Sequence, residues 1–343
     1  MARKKSSYRA MKKIEPAVTT MSFTLPSVDG AERFYIDLSQ CASILNRRFY
    51  RQGINWAVSG MKLVSDYQGA VFTAKLPTTW TMSNSWEKGF RAWQRMNNEA
   101  LQEAESVRPR FLDFKIFANA NHHNVGFDAN LMPLSFNDVI GAVGYQYVEA
   151  TKGEWESSKY RIPVGPANPG QTTDREVIAV GASFPGAGAS GVNAVSLIEG
   201  YAASRGLPNV LDPNAPADAL DAEGTTPENW MSALFNEGTE QTDAVLADMV
   251  TENNISPYPF ENDGVHVDTM YPGGANQLNG LQIHDTAFIT PTTIGGHTSI
   301  PGGMFPCGLI ELTIAGTGTG GTLQIELVPG NHRGYLCEPM TEM

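Results

Sequence analysis

Two stretches of alternating apolar and polar residues, one in each half of the chain, constrain the fold more than any other feature. The first spans residues 55–80 and reads as two strands on either side of a turn at residues 67–69. Its apolar positions are Met61, Leu63, Ala70, Phe72, Ala74 and Leu76. A period of two buries one face of a strand and leaves the other in water.

The second stretch repeats this pattern close to the C-terminus. Ile310, Leu312 and Ile314 precede the glycine-rich residues 316–321, and Leu323, Ile325 and Leu327 follow them. A hairpin with one apolar face is only marginally stable by itself, so both stretches require a second layer. The sequence therefore predicts a mainly β fold, an antiparallel sandwich or barrel, with less regular sequence in between.

Composition fits a β protein with long loops. The chain has 343 residues, among them 34 glycines and 21 prolines, which favours many turns over a helical or doubly wound fold. Charged residues make up 17% of the chain, against about 25% in a typical soluble domain. Part of the surface therefore meets another subunit, or carries Asn, Thr and Ser in place of charges. The length allows one elaborated domain or two stacked ones, and we expect one.

Targeting and redox signals are sparse. Cys41, Cys307 and Cys337 are odd in number and lack metal-ligand spacing, which predicts reduced thiols in an intracellular setting. No apolar run approaches the length of a membrane-spanning helix, and no hydrophobic segment follows the basic N-terminus. We therefore expect neither membrane insertion nor secretion.

Charge is divided unevenly along the chain. Residues 1–150 carry 18 Lys and Arg against 13 Asp and Glu, whereas residues 151–343 carry 6 against 23. No Lys or Arg occurs between Arg205 and Arg333. A polyanion would be repelled by such an acidic surface, so only the first half is suited to hold one.

The N-terminus is a basic segment without acids in its first thirteen residues. Its basic side chains are Arg3, Lys4, Lys5, Arg9, Lys12 and Lys13. With one aromatic residue it cannot build a core, so residues 1–16 are predicted to form a flexible arm. Such an arm suits the neutralisation of nucleic-acid phosphates or nuclear localisation. A solubilising tail is the alternative.

Two further basic clusters follow. Arg47, Arg48 and Arg51 are interleaved with Phe49 and Tyr50, a pattern that clamps phosphates and stacks on bases, or that packs as an edge or a subunit contact. A helix predicted from about residue 84 to about residue 103 turns its aromatic residues to the core. Its opposite face carries Lys88, Arg91 and Arg95, which predicts a solvated helix surface or a nucleic-acid surface.

Catalytic and metal motifs are weak, so we expect no enzyme, no metal and no cofactor. Residues 186–191 match G-x-G-x-x-G, but they follow the preceding apolar run too distantly for a dinucleotide site and predict a loop. The adjacent His122 and His123 would point apart on a strand, and the acidic turn at residues 261–264 lacks the EF-hand register, although a calcium contact there stays open. No G-x-S-x-G elbow occurs.

Several short sequence motifs in the first 135 residues resemble those of a known protein family. They are residues 35–40 (YIDLSQ), 46–53 (NRRFYRQG), 55–58 (NWAV), 80–84 (WTMSN), 86–90 (WEKGF) and 111–115 (FLDFK). The chain resembles capsid proteins of small circular, Rep-encoding single-stranded DNA viruses in this region. The acidic half resembles them poorly.

This resemblance implies an eight-stranded antiparallel jelly-roll sandwich that self-assembles into an icosahedral shell around single-stranded DNA. In such a protein residues 17–343 would form the capsid domain, with an acidic loop and helix insertion at about residues 153–306 and a few short helices. The basic arm and the other basic clusters would contact the genome, independent of its sequence. The arm is shorter than those of similar capsids, so Lys88, Arg91 and Arg95 would supplement it.

The same resemblance implies a location and partners. The protein would reside in the virion and assemble in the host nucleus or cytoplasm, and an unknown host receptor would be a further partner. Two rivals stay open: a monomeric jelly-roll carbohydrate-binding module or adhesin, and an enzyme on a sandwich scaffold.

Overall fold

The computed structural model describes residues 16–102, 106, 113–137, 146–164, 170–206, 231, 280–290 and 296–342. The arm residues Arg3, Lys4, Lys5, Arg9, Lys12 and Lys13 lie outside these ranges, as does the acidic turn at residues 261–264.

Most of the regular structure is β. In chain order the strands are β1 (Thr20–Leu25), β2 (Val28–Asp37), β3 (Ile54–Ser65), β4 (Gln68–Lys75), β5 (Leu134–Asn137), β6 (Gln146–Glu149), β7 (Lys159–Pro163), β8 (Thr172–Ile178), β9 (Ala194–Ser196), β10 (Gln282–Ile289), β11 (His297–Phe305), β12 (Leu309–Gly318), β13 (Gly321–Leu327), β14 (Pro329–Gly330), β15 (Gly334–Tyr335) and β16 (Cys337–Pro339). The helices are α1 (Leu38–Asn46), α2 (Trp80–Leu101), α3 (Ala120–Val125) and α4 (Leu197–Gly206), with 3₁₀ turns at Phe127–Ala129, Pro306–Gly308 and Met340–Glu342.

Eight of these strands form a jelly roll. One sheet has the order β1-β13-β3-β11, with β16 also pairing with β3, and the other has the order β10-β4-β12-β2. All of these pairs are antiparallel. Along the chain each connection crosses from one sheet to the other, except that β4 and β10 are neighbours in the same sheet. This is the double Greek key of a jelly roll, and the predicted fold class is confirmed.

The two stretches of alternating sequence do form strands, but the members of each stretch do not pair with each other. β3 and β4 lie in different sheets, and so do β12 and β13. Met61 and Leu63 of β3 instead face Ile325 and Leu323 of β13. Alternation reports which face of a strand is buried, whereas the pairing depends on residues more than 200 positions away.

The core lies between the two sheets. Phe23, Trp56, Leu63, Leu312 and Ile325 are fully buried there. At about 25 cal/mol per Å² of buried apolar surface, this layer supplies most of the drive to close the sandwich. In β3, β12 and β13 the predicted apolar face lies in this core. For β4 the predicted face is wrong: Val71, opposite Ile314 of β12, is buried in the core, whereas Ala70 and Phe72 are half-buried on the other face.

The connection between β4 and β10 spans residues 76–281 and holds α2, α3, α4 and β5 to β9. Its described elements pack on the sandwich through a second apolar cluster that includes Trp86, Phe114, Tyr160 and Leu309. The structure therefore begins the insertion near residue 76 and ends it before β10. Strands β10 and β11 fall within the range that the sequence assigned to the insertion. Pro301, Gly302 and Gly303 interrupt the alternation of β11, so the sequence did not predict it as a strand.

Helix α2 confirms the predicted helix and its aromatic face. Trp86 and Phe90 stack with ring centroids 5.1 Å apart, and Phe90 and Trp93 with centroids 6.3 Å apart. The helix begins earlier than predicted, because Thr79 caps it by accepting a hydrogen bond from the Met82 N–H at 3.3 Å. Within the described ranges, no helix is both long and apolar enough to cross a membrane.

Candidate nucleic-acid interface

Arg47, Arg48 and Arg51 lie in the connection between α1 and β3. Asp37 begins α1 by accepting a hydrogen bond from the backbone N–H of Ser39 at 2.9 Å. Arg47 follows the helix in the left-handed conformation, with φ at 52°, a position where glycine is more usual. Arg47 and Arg51 are exposed and Arg48 is half-buried, so this run presents positive charge at the surface.

The root of the predicted arm lies beside these arginines. The Arg48 guanidinium donates to the Pro16 carbonyl at 3.3 Å, and the Val18 N–H donates to Asn46 Oδ1 at 2.9 Å. The Tyr335 hydroxyl donates to the Val18 carbonyl at 2.6 Å. Residue 16, to which the basic arm is joined, is therefore held next to Arg48.

Arg333 joins the same surface from the C-terminal part of the chain, and no local sequence pattern predicted it as a site residue. Its guanidinium donates to the Phe49 carbonyl, while its own carbonyl accepts from the Tyr50 hydroxyl at 2.9 Å. Its isolation as a basic residue in the acidic half was the signal that could have singled it out. We call Arg47, Arg48, Arg51 and Arg333 the basic corner.

Within the described part of the chain, no carboxylate lies in ion-pair contact with Arg47, Arg51 or Arg333. The nearby carboxyl of Asp113 senses the Arg51 charge, which lowers its pKa against the larger, opposite effect of burial. Several positive side chains exposed on one surface attract an anion. The basic corner is therefore suited to phosphate.

The predicted basic face of α2 is different. Arg91 pairs with Glu87, and Arg95 pairs with Glu99 at 2.9 Å, both four residues apart on the helix. Such exposed pairs are worth about 0.3–0.5 kcal/mol, and they reduce the charge available to a nucleic acid. Lys88 lies over the Tyr201 ring, 5.8 Å from its centroid. The structure thus does not bring these three residues into the basic corner.

A cleft of about 520 Å³ opens beside the basic corner. Its wall consists of aromatic and apolar residues with four charged or titratable groups: Phe49, Arg51, Gly53, Ile54, Trp86, Phe90, Asp113, Phe114, His332, Arg333 and Pro339. Gly53 is needed there, because a Cβ atom at this position would lie 2.3 Å from Trp86 Cζ2. The cleft thus joins the β2–β3 connection, α2 and the C-terminal segment.

A set of buried hydrogen bonds around Gln52 lies behind the cleft wall. Gln52 donates through Nε2 to Asp37 Oδ2 at 3.0 Å, and accepts at Oε1 from the Ile116 N–H at 2.7 Å. Its own N–H donates to Asp113 Oδ1 at 3.2 Å. Burial raises the pKa of Asp37 to about 7 and also raises the pKa of Asp113. Because Gln52 follows Arg51 directly, these hydrogen bonds hold the Arg51 backbone in place.

The two adjacent histidines lie on α3, and the strand on which they would point apart does not form. Both are buried: His122 Nε2 contacts Asn130 Oδ1 at 2.8 Å, and His123 Nε2 contacts Glu176 Oε2 at 2.9 Å. They serve to pack the insertion. No group of three or more His, Cys, Asp or Glu side chains that could hold a metal ion occurs among the residues placed by the structure.

The glycine string at residues 186–191 lies in the loop between β8 and β9. β8 ends at Ile178, and the next helix, α4, begins at Leu197. The glycines therefore do not join a strand directly to a helix N-terminus, as a dinucleotide site requires. Gly188 serves packing, since a Cβ atom there would lie 2.6 Å from the His123 ring.

Comparison of the chain with protein-family models, with curated proteins and with solved structures gives no match. The strand order, the basic corner and the cleft are therefore the features that bear on function.

Proposed function

We propose that this chain is a coat protein of a small single-stranded DNA virus, which assembles with copies of itself into an icosahedral shell around the genome. The observation that carries the proposal is the jelly-roll strand order, β1-β13-β3-β11 against β10-β4-β12-β2. This architecture is used by viral capsid domains and also by lectins. A coat protein needs two further surfaces, one for DNA and one for its neighbours.

The basic corner supports the DNA surface. It adds Arg47, Arg51 and Arg333 to the arm, whose root is held against Arg48. Phosphate neutralisation by such a cluster releases counterions and does not depend on base sequence. DNA binding should therefore be insensitive to sequence and should weaken steeply as salt is added.

The outer face of the β10-β4-β12-β2 sheet supports contact with a neighbour. Phe288 and Ile283 of β10 are 74% and 66% exposed. A bulge between Ile283 and Asp285 returns Ile283 to the face of Phe288, because their partners Ala74 and Ala70 lie on one side of β4. Large apolar side chains exposed together mark interaction surfaces. In the sheets described, β10 is an edge strand, so a neighbour can reach this face.

Assembly of the whole chain tests the proposal. Purified protein is examined by electron microscopy and sedimentation velocity over a range of salt concentrations, with and without single-stranded DNA. Particles of uniform diameter are expected, and DNA should co-sediment with them. A protein that remains monomeric under every condition would contradict the proposal. If that monomer bound glycans instead, the carbohydrate-binding module would replace it.

A further inference from the structure

The cleft beside the basic corner has the size and wall of a small-ligand site. Its volume of about 520 Å³ falls within the range of about 300–1,000 Å³ that such sites occupy. Phe49 and Phe90 are half-buried, so they present ring surface to a ligand. Arg51 and Arg333 stand exposed among the lining residues. An aromatic wall with cations beside it suits a flat ring that carries an anionic group.

Two buried polar atoms of lining residues have no hydrogen-bond partner. Trp86 is 4% exposed, and its Nε1–H finds no acceptor. Asp113 is 9% exposed, and its Oδ2 accepts no hydrogen bond; the Lys115 ammonium lies 3.7 Å away. Unsatisfied buried polar atoms are rare in folded proteins, and each calls for an explanation. Both atoms have less than 1 Å² of accessible surface, so they lie behind the wall, and a ligand in the cleft contacts the ring faces and the two arginines.

We propose that this cleft binds one nucleotide of single-stranded DNA. The base stacks on the aromatic wall, and its phosphate contacts Arg51 and Arg333. Because every base offers a ring face for stacking, the cleft does not select among the bases. This inference rests on the proposed function for the origin of the nucleotide, and its chemistry can be tested without it.

The contribution of the base is tested with two ligands that differ only in having one. Binding of dCMP and of 2-deoxyribose 5-phosphate to the whole chain is measured by isothermal titration calorimetry, and dCMP should bind at least about fivefold more tightly because only dCMP can stack. dCMP and dUMP should bind within about twofold of each other. Equal binding of dCMP and the sugar phosphate, or equal competition by inorganic phosphate, would overturn base recognition.

The phosphate and stacking contacts are tested with two further variants. Arg51→Gln should weaken dCMP binding about tenfold or more, and Phe49→Leu, which keeps apolar volume without a ring face, about fivefold or more. Arg161→Gln is the matched control, because Arg161 is exposed and pairs with Asp174 away from the cleft. If Arg51→Gln binds dCMP as wild type does, the cleft is not the site.

These outcomes separate the cleft from the coat-protein proposal. Selective dCMP binding by a chain that never assembles supports the cleft and removes the coat function. Assembly around DNA with no selective mononucleotide binding leaves the coat function intact and overturns the cleft.

Discussion

His122 should make the stability of this protein depend on pH. The ring is fully buried, stacked on Tyr35 with centroids 4.4 Å apart. Its Nδ1 accepts from the Ala118 N–H at 3.1 Å, so the proton of the neutral ring is on Nε2, which donates to Asn130. If Nδ1 were also protonated, its N–H would face the Ala118 N–H, and neither donor would have an acceptor. Burial, the largest cause, lowers the pKa of His122 to about 4.

The size of the effect follows from this pKa. In the unfolded chain the pKa of a histidine is near its ordinary value of 6.5. The folded state disfavours the charged form, so the contribution of His122 is fully present above pH 6.5 and is lost as pH falls toward about 4. At about 1.36 kcal/mol per unit of pKa, the loss approaches about 3 kcal/mol. Burial of Asp37, whose pKa is raised to about 7, has the opposite sign.

The difference in unfolding free energy between wild type and His122→Asn separates the effect of His122 from that of Asp37, because both proteins retain Asp37. In His122→Asn the amide oxygen can still accept from the Ala118 N–H, but the side chain cannot be protonated and loses the stack on Tyr35. The variant should be less stable by about 1–3 kcal/mol at pH 7.5. Urea unfolding at pH 4.5 should shrink this deficit, or invert it, by about 2–3 kcal/mol. A deficit of the same size at both pH values would refute the reasoning.

Three more outcomes are expected. Phe288→Ser should raise the concentration needed for self-association roughly 100-fold in sedimentation velocity, because the exposed 74% of the Phe288 side chain, about 150 Å², stabilises an interface by about 3–4 kcal/mol when buried. The control Phe288→Leu should retain most of the association. Unchanged assembly of Phe288→Ser would exclude this contact. Deleting residues 1–13 should lower the magnitude of the slope of log binding constant against log salt by about 4, because six basic residues are removed and each neutralised phosphate contributes about 0.7. The slope is measured from the fluorescence anisotropy of a labelled oligothymidine. An unchanged slope would mean that the arm does not contact DNA. Gly69→Ala should lower the free energy of unfolding by about 3 kcal/mol or more, because Gly69 has φ at 144° and an added Cβ would lie 2.1 Å from the Ala315 carbonyl oxygen. Gly30→Ala is the control, since Gly30 has φ at 113° but open space around it, and it should lower the free energy less. Equal losses in thermal unfolding would argue against the clash.

Local sequence predicted the elements of the sandwich but not their pairing. The strands β3, β4, β12 and β13 were all foreseen, because a period of two is set by the faces of one strand. Their partners were not, since β3 pairs with β11 and β13 while β4 pairs with β10 and β12. Residues brought together from opposite ends of a chain leave no local signal.

The candidate site was foreseen only in part, for the same reason. Arg47, Arg48 and Arg51 stand in one run with aromatic residues, and this local pattern identified them. Arg333 is separated from that run by more than 280 positions, yet it donates to the Phe49 carbonyl. Helix α2 was predicted with the correct buried face, but the pairing of Arg91 with Glu87 reduces the basic surface read from its other face.

The basic corner is an extension of the sandwich core. Tyr50, Trp56 and Tyr335 are fully buried and contact one another with ring centroids 5.2–5.8 Å apart. From this cluster the Tyr50 hydroxyl holds the Arg333 carbonyl and the Tyr335 hydroxyl holds Val18. The core therefore holds the backbone of the corner in place without a ligand, which lowers the entropic cost of the proposed DNA contact. A chain without residues 1–13 should still bind DNA with a reduced salt slope, and complete loss of binding would mean that the corner contributes nothing.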